Sequence, residues 1–179
     1  MQITEDFQYY NDKEVQLVKL PYKKDSMSAI VILPNEKKNI NEFISELNDE
    51  KLQHLIKRMS RHKVHLELPK FELEYSSELN GVLKKLGMNE PFNEFTANFK
   101  GLGKELYISQ ILQKTYLKVD EEGTEAAAVT VIKMKPTKSM HKKPIIYPMI
   151  VDRPFLFLLK NENLPINNEM LFMSKIEKL

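Results

Sequence analysis

The sequence predicts an α+β fold. Three observations carry that expectation. Strand-like runs outnumber helical ones, the two clear amphipathic helices follow one another directly, and the strands before and after them do not alternate regularly with helices. At 179 residues the chain has the length of one domain and enough apolar material, 42%, to bury a core.

Taken in order, Val15 to Leu20 alternates and stops at Pro21, as a strand would. Asp25-Ser26 is a turn signal, and Ala29 to Leu33 is a near-continuous apolar run that fits a strand buried on both faces. The two runs predict a hairpin, closed by Pro34 and Asn35. Ile40, Phe43, Ile44 and Leu47 then fall at helical spacing, and Leu52, Leu55, Ile56 and Met59 repeat it. Asn39 with Glu42 resembles a capping box, and Asn48-Asp49 supplies a break and a second N-cap. His54 lies outside the second apolar stripe, on the solvated side.

Val64, Leu66 and Leu68 alternate with His65 and Glu67. Pro69 interrupts the run and Phe71, Leu73 and Tyr75 resume it. Ser76 or Ser77 is placed to cap a short helix with the face Leu79, Val82, Leu83 and Leu86, ended by Gly87 and Met88. Residues 90–103 read as irregular, and Leu106 to Val119 reads as one long strand. Phe155 to Leu159 and Met170 to Ile176 read as a closing strand pair.

Between Val119 and Phe155 lies a connection too long for an ordinary turn, and loops of that length are usually functional or disordered. Its first part carries a strand's alternation. Thr124, Ala126, Ala128, Thr130, Ile132 and Met134 form one uncharged set. Glu125, Ala127, Val129, Val131, Lys133 and Lys135 form the other, which holds every charge of that stretch. Two readings stay open: a plain edge strand, and a loop that becomes a strand.

Composition excludes several classes of function. A net charge of +2 marks no surface for nucleic acid. With no cysteine, nothing is held by disulfides and the redox compartment stays undecided. No apolar run has transmembrane length, and MQITEDFQYY lacks the basic and apolar regions of a signal peptide. His54, His62, His65 and His141 show no metal spacing, and His62 and His65 would face opposite sides of one strand. No nucleophile stands in a strained-turn context and no glycine-rich phosphate loop occurs. An enzyme is therefore not expected, and neither is a cofactor, a metal, a nucleic acid or a membrane.

The segment DEEGTEAAAVT, followed by DRPFLFLL, resembles the reactive-centre loop and C-terminal signature of the serpins. LVKLPY, IVILP, VHLELPKFELEY, LNGVLKKLGM and LYISQILQKTYLKV resemble serpin segments in the same order, so the likeness covers nearly the whole chain. It implies a single serpin-like domain over residues 1–179, comprising the C-terminal half of the fold. That half holds parts of the main sheet, the barrel-like sheets and an exposed reactive-centre loop at about 121–153. Met1 falls near the middle of a typical member, so the N-terminal half and any targeting signal would lie upstream, and localisation stays open.

The implied function is inhibition of a serine-type endopeptidase by a suicide-substrate mechanism. The protease cleaves the loop, forms an acyl-enzyme, and is trapped when the freed loop inserts into the main sheet. The alternatives are a non-inhibitory serpin-like binding module and an inactive truncated fragment. The implied partner is a trypsin-like or chymotrypsin-like protease, with loop-to-sheet self-association as a further expectation.

The resemblance assigns the hinge to Glu121, Gly123, Thr124, Glu125, Ala126, Ala127 and Ala128, and a breach pair to Lys70 and Glu121. It assigns the distal anchor to Asp152, Arg153, Pro154 and Phe155. Family spacing counted forward from Glu121 reaches Thr137; counted back from Pro154 it reaches Lys143. Lys135-Pro136 and Lys143-Pro144 are poor bonds because proline follows. Lys138-Ser139 is the favoured reactive bond, with Thr137 and Met140 as alternatives. Two departures stand out: Gln113 where many members have histidine, and Ser174 where glycine is usual.

Overall fold

The computed structural model describes residues 1–22, 26–103, 105–119, 145–164 and 170–177. They form two compact units, one from Met1–Phe71 with Val119–Leu179, the other Glu72–Lys118.

The first unit is built on a seven-stranded sheet. Its strands are β1 (Gln2–Asn11), β2 (Val15–Pro21), β3 (Met27–Pro34), β4 (Ser60–Glu67), β7 (Ile146–Ile150), β8 (Phe155–Asn161) and β9 (Met170–Ile176), in the order β7-β4-β1-β2-β3-β8-β9. Every pairing is antiparallel except β4 with β7, which is parallel from Lys63↔Ile146 to Glu67↔Ile150. The expected β2–β3 hairpin forms with Leu17 opposite Ile32, and β8–β9 lies beside it.

Alternation explains the core. On one face Leu17, Ile30, Ile32, Leu156 and Leu158 pack under helices α1 (Ile40–Glu46) and α2 (Asp49–Lys57), which bury Ile40, Phe43, Leu52 and Leu55. On the other, Val31 faces Phe157 across the ladder, and the Phe71 ring stands edge-on to Phe155 and Phe157 at 5.6 and 5.4 Å. Both N-caps form. The Asn48 side chain accepts from the Lys51 amide at 2.7 Å. Asn39 accepts from the Asn41 amide at 2.8 Å, so its cap is made one residue earlier than the expected pairing with Glu42.

The second unit holds the sheet of β5 (Phe71–Glu78) and β6 (Leu112–Val119), the helix α3 (Asn80–Lys85) and a 3-10 turn at Glu90–Phe92. Gly87, at φ +96°, closes α3: its amide bonds to the Lys84 carbonyl and the Met88 amide to the Leu83 carbonyl, a Schellman ending.

Several expectations are corrected. The opening decapeptide, given no structure from its sequence, is strand β1. Within the span 121–153 expected as loop, residues 146–150 form β7. Ser76 and Ser77 cap nothing; β5 runs through them to Glu78, and Leu79 opens α3 without a side-chain bond. The apolar face of α3 is not buried, with Val82 and Leu86 at 52% and 78% exposure. The long strand from Leu106 begins only at Leu112, because the backbone groups at Ile108, Ser109 and Ile111 are bonded to Pro91, Asn80 and Leu79. The run from Val64 to Tyr75 divides between two sheets at the interruption that Pro69 makes. Pro69 cannot donate to a ladder, and the chain changes sheets there: β4 joins β1 and β7 while β5 joins β6.

Candidate functional site: the anchors of the long loop

The long connection leaves β6 at Val119, which is buried, and its first described residue beyond is Ile145, next to β7. The hinge residues Glu121, Gly123, Thr124, Glu125, Ala126, Ala127 and Ala128 lie outside the described residues, as do Thr137, Lys138, Ser139 and Met140. Lys70 is exposed between Pro69 and Phe71, but its assigned breach partner Glu121 lies outside them too.

The residues assigned to the distal anchor, Asp152 to Phe155, all lie within the described residues. The Val151 amide bonds to the Glu67 carbonyl at 2.8 Å, continuing the β4–β7 ladder by one step. Arg153 Nε then donates to the Pro34 carbonyl at 2.9 Å, and its NH1 to Asp152 Oδ1 at 2.9 Å. Pro34 ends β3 and needs an acceptor's partner there; the guanidinium, a fixed fork of donors, supplies it. Phe155 follows, wholly buried against Phe71. Arg153 and Phe155 thus connect the segment between β7 and β8 to Pro34 of β3 and Phe71 of β5.

A second group of anchoring residues went unrecognised in the sequence. Tyr147 on β7 packs on His62 of β4 at 4.9 Å and on Tyr9 of β1 at 5.6 Å. Gln16 Nε2 donates to the Tyr9 hydroxyl at 3.1 Å and reaches the Pro148 carbonyl at 3.4 Å. Burial pushes the Tyr9 phenol up despite the bond from Gln16, so it stays a neutral partner. The available signal was the apolar run from Ile145 to Val151, broken only by Pro148 in a position that an edge strand tolerates.

His62 and His65 do face opposite sides of β4: His62 meets Tyr9 and Tyr147, whereas His65 bonds Thr4 at 2.7 Å and Glu67 at 3.1 Å. Among the described residues no group of three or more His, Cys, Asp or Glu is placed to hold a metal, and no helix is long and apolar enough to cross a membrane. Gln113 is exposed on β6. Ser174 pairs with Phe157 in a ladder whose one irregularity lies at Leu159/Lys160, so the serine does not break β9.

Comparison with known proteins decides the family. The profile described as Serpin (serine protease inhibitor) matches residues 1–179. The chain belongs to the serpin family. It is 31% identical over 183 residues to intracellular coagulation inhibitor 2 of Tachypleus tridentatus, covering 100% of this chain and 43% of that protein. It is 32% identical to human Serpin B13, covering 94% and 42%, and 33% identical to antichymotrypsin-2 of Bombyx mori, covering 86% and 41%. Among solved structures, the native state of the thermophilic serpin tengpin matches with a TM-score of 0.71 at 33% identity, covering 100% of this chain and 46% of that one. Native protease nexin-1 with heparin matches at 0.76 and 26%, covering 99% and 45%. The chain therefore spans less than half the length of the serpins it matches. Serpins are protease inhibitors rather than enzymes, and this chain's mixed α+β fold matches 46% and 45% of those two solved serpins.

Proposed function

We propose that this chain is the C-terminal half of an inhibitory serpin that traps a trypsin-like or chymotrypsin-like serine protease as a suicide substrate. The observation that carries the reading is the uncharged register of Thr124, Ala126, Ala128, Thr130, Ile132 and Met134. Ordering a residue costs about 1–2 kcal/mol, and a backbone hydrogen bond returns about 1 kcal/mol net. Those terms nearly cancel, so side-chain fit decides whether the cleaved loop enters a sheet. A charge on the inward set would cost several kcal/mol, and none is present. Gly123 supplies the backbone freedom at the turning point. Cleavage falls at Lys138-Ser139, with Thr137 and Met140 as the neighbouring candidates.

Two further observations support it. The loop's distal end is tied down by Arg153, Phe155, Tyr9 and Tyr147, so what lies upstream of β7 has a fixed end to pull against. Relatives are named as a coagulation inhibitor and an antichymotrypsin. In the intact fold, Lys70 and Glu121 form the breach pair at the loop's origin. The 179-residue chain alone is a poor inhibitor on this reading, because the remaining strands of the main sheet belong to the missing half.

The experiment joins the chain to a serpin N-terminal half and mixes the product with a panel of serine proteases. A covalent adduct that survives denaturing electrophoresis is expected with at least one of them. Clean cleavage of the loop without an adduct across the panel would overturn the proposal in favour of a non-inhibitory scaffold.

A further inference from the structure

Asn80 and Gly81 open α3, and no other asparagine in the chain is followed by glycine. The Asn80 carboxamide makes two bonds at once. Its Nδ2 donates to the Ser109 carbonyl at 2.8 Å, and its Oδ1 accepts from the Ile111 amide at 2.8 Å. The Leu79 amide adds a bond to the Ile111 carbonyl at 2.9 Å. One side chain and the start of one helix therefore clamp residues 109–111, immediately before β6. Only a group that both donates and accepts can fill this role.

The same site favours attack on Asn80 by the nitrogen that follows it. Gly81 has no side chain to obstruct the approach, and nothing lies within 4 Å of the place a Cβ would occupy. Its N–H belongs to the first turn of α3, where no intrahelical acceptor precedes it. The helix is six residues long, with no side-chain cap bond and no buried residue, so it opens at far lower cost than the whole fold.

We propose that Asn80-Gly81 is a self-modification site, at which deamidation of Asn80 releases the clamp on residues 109–111. The Gly81 backbone nitrogen gives up its proton and attacks Asn80 Cγ. A carbon–nitrogen bond forms, the side-chain nitrogen leaves as ammonia, and the product is a succinimide. Water adds to either ring carbonyl and opens it to aspartate or isoaspartate. The balance is one water taken up and one ammonia released, with no oxidant or reductant. The two hydrogen bonds fix the carboxamide in place, so the attack that Gly81 favours proceeds once α3 opens and releases it. Aspartate keeps the acceptor for Ile111 but sets a carboxylate oxygen against the Ser109 carbonyl with no proton between them. Isoaspartate lengthens the backbone at the helix start. Either product loosens the approach to β6. The inference does not depend on protease inhibition.

The test is to hold the full chain under native conditions at mildly alkaline pH and follow each asparagine by peptide mass spectrometry. Conversion at Asn80 is expected to outrun that at every other asparagine, and G81A should bring it down to their level. In parallel, N80D should speed hydrogen exchange at the Leu79 and Ile111 amides. An Asn80 no more reactive than the rest would overturn the proposal. So would N80D amides that exchange at the unmodified rate.

Discussion

Asp12 shows how one side chain can hold a hairpin. Its Oδ1 accepts from the Glu14 amide at 2.8 Å and the Val15 amide at 3.0 Å, and its Oδ2 from the Tyr10 hydroxyl at 2.8 Å. Burial pulls the carboxyl up, but these bonds, with Arg58 nearby, outweigh it and hold the group below the usual carboxylate range. A carboxyl whose folded pKa is depressed contributes stability that is complete above its unfolded pKa and is lost as pH falls through the folded one. D12N should therefore unfold at a urea midpoint that changes less on acidification than the parent's; parallel pH profiles would exclude a role for this carboxylate. Phe155 gives the largest expected single loss. It is wholly buried and meets Phe71 edge-on, so F155A should cost about 3–5 kcal/mol in urea unfolding.

At the scale of elements, Gly87 ends α3 in a conformation that L side chains rarely adopt. G87A should cost roughly 1–2 kcal/mol from the left-handed backbone alone, read as faster hydrogen exchange at the Met88 amide. The elements legible in the sequence were those whose burial is local. The β2–β3 hairpin, α1 and α2 each carry a complete period of apolar residues, and each formed as expected. Elements defined by distant partners were not legible. β1 interleaves Glu5 and Asp6 with Phe7, Tyr9 and Tyr10, and becomes a strand because β4 and β2 flank it. β7 pairs with a strand about eighty positions upstream, which periodicity does not reveal. The start of β6 was placed too early because a side chain, Asn80, took the backbone bonds that a strand partner would have taken. Of the site, Asp152-Arg153-Pro154-Phe155 was readable as a motif, whereas the Tyr9, Gln16 and Tyr147 contacts exist only once three strands meet.

At the scale of the whole molecule, the two-stranded sheet of β5 and β6 leaves Tyr75, Leu112 and Tyr116 more than half exposed. Two strands are marginal by themselves, and a strand edge with apolar neighbours recruits other strands. The isolated chain should therefore self-associate with rising concentration in size-exclusion chromatography with light scattering; a monomer at all concentrations would count against an open edge. On the proposed mechanism, the cleaved loop enters a sheet through an uncharged register beginning at Thr124. Most direct is the stoichiometry of inhibition by the chain joined to a serpin N-terminal half, with and without Thr124→Arg. An arginine there must be buried unpaired at the first step of insertion, so hydrolysis of the acyl-enzyme should win and the variant should be consumed as substrate. A stoichiometry unchanged by the arginine would contradict the register and the mechanism built on it.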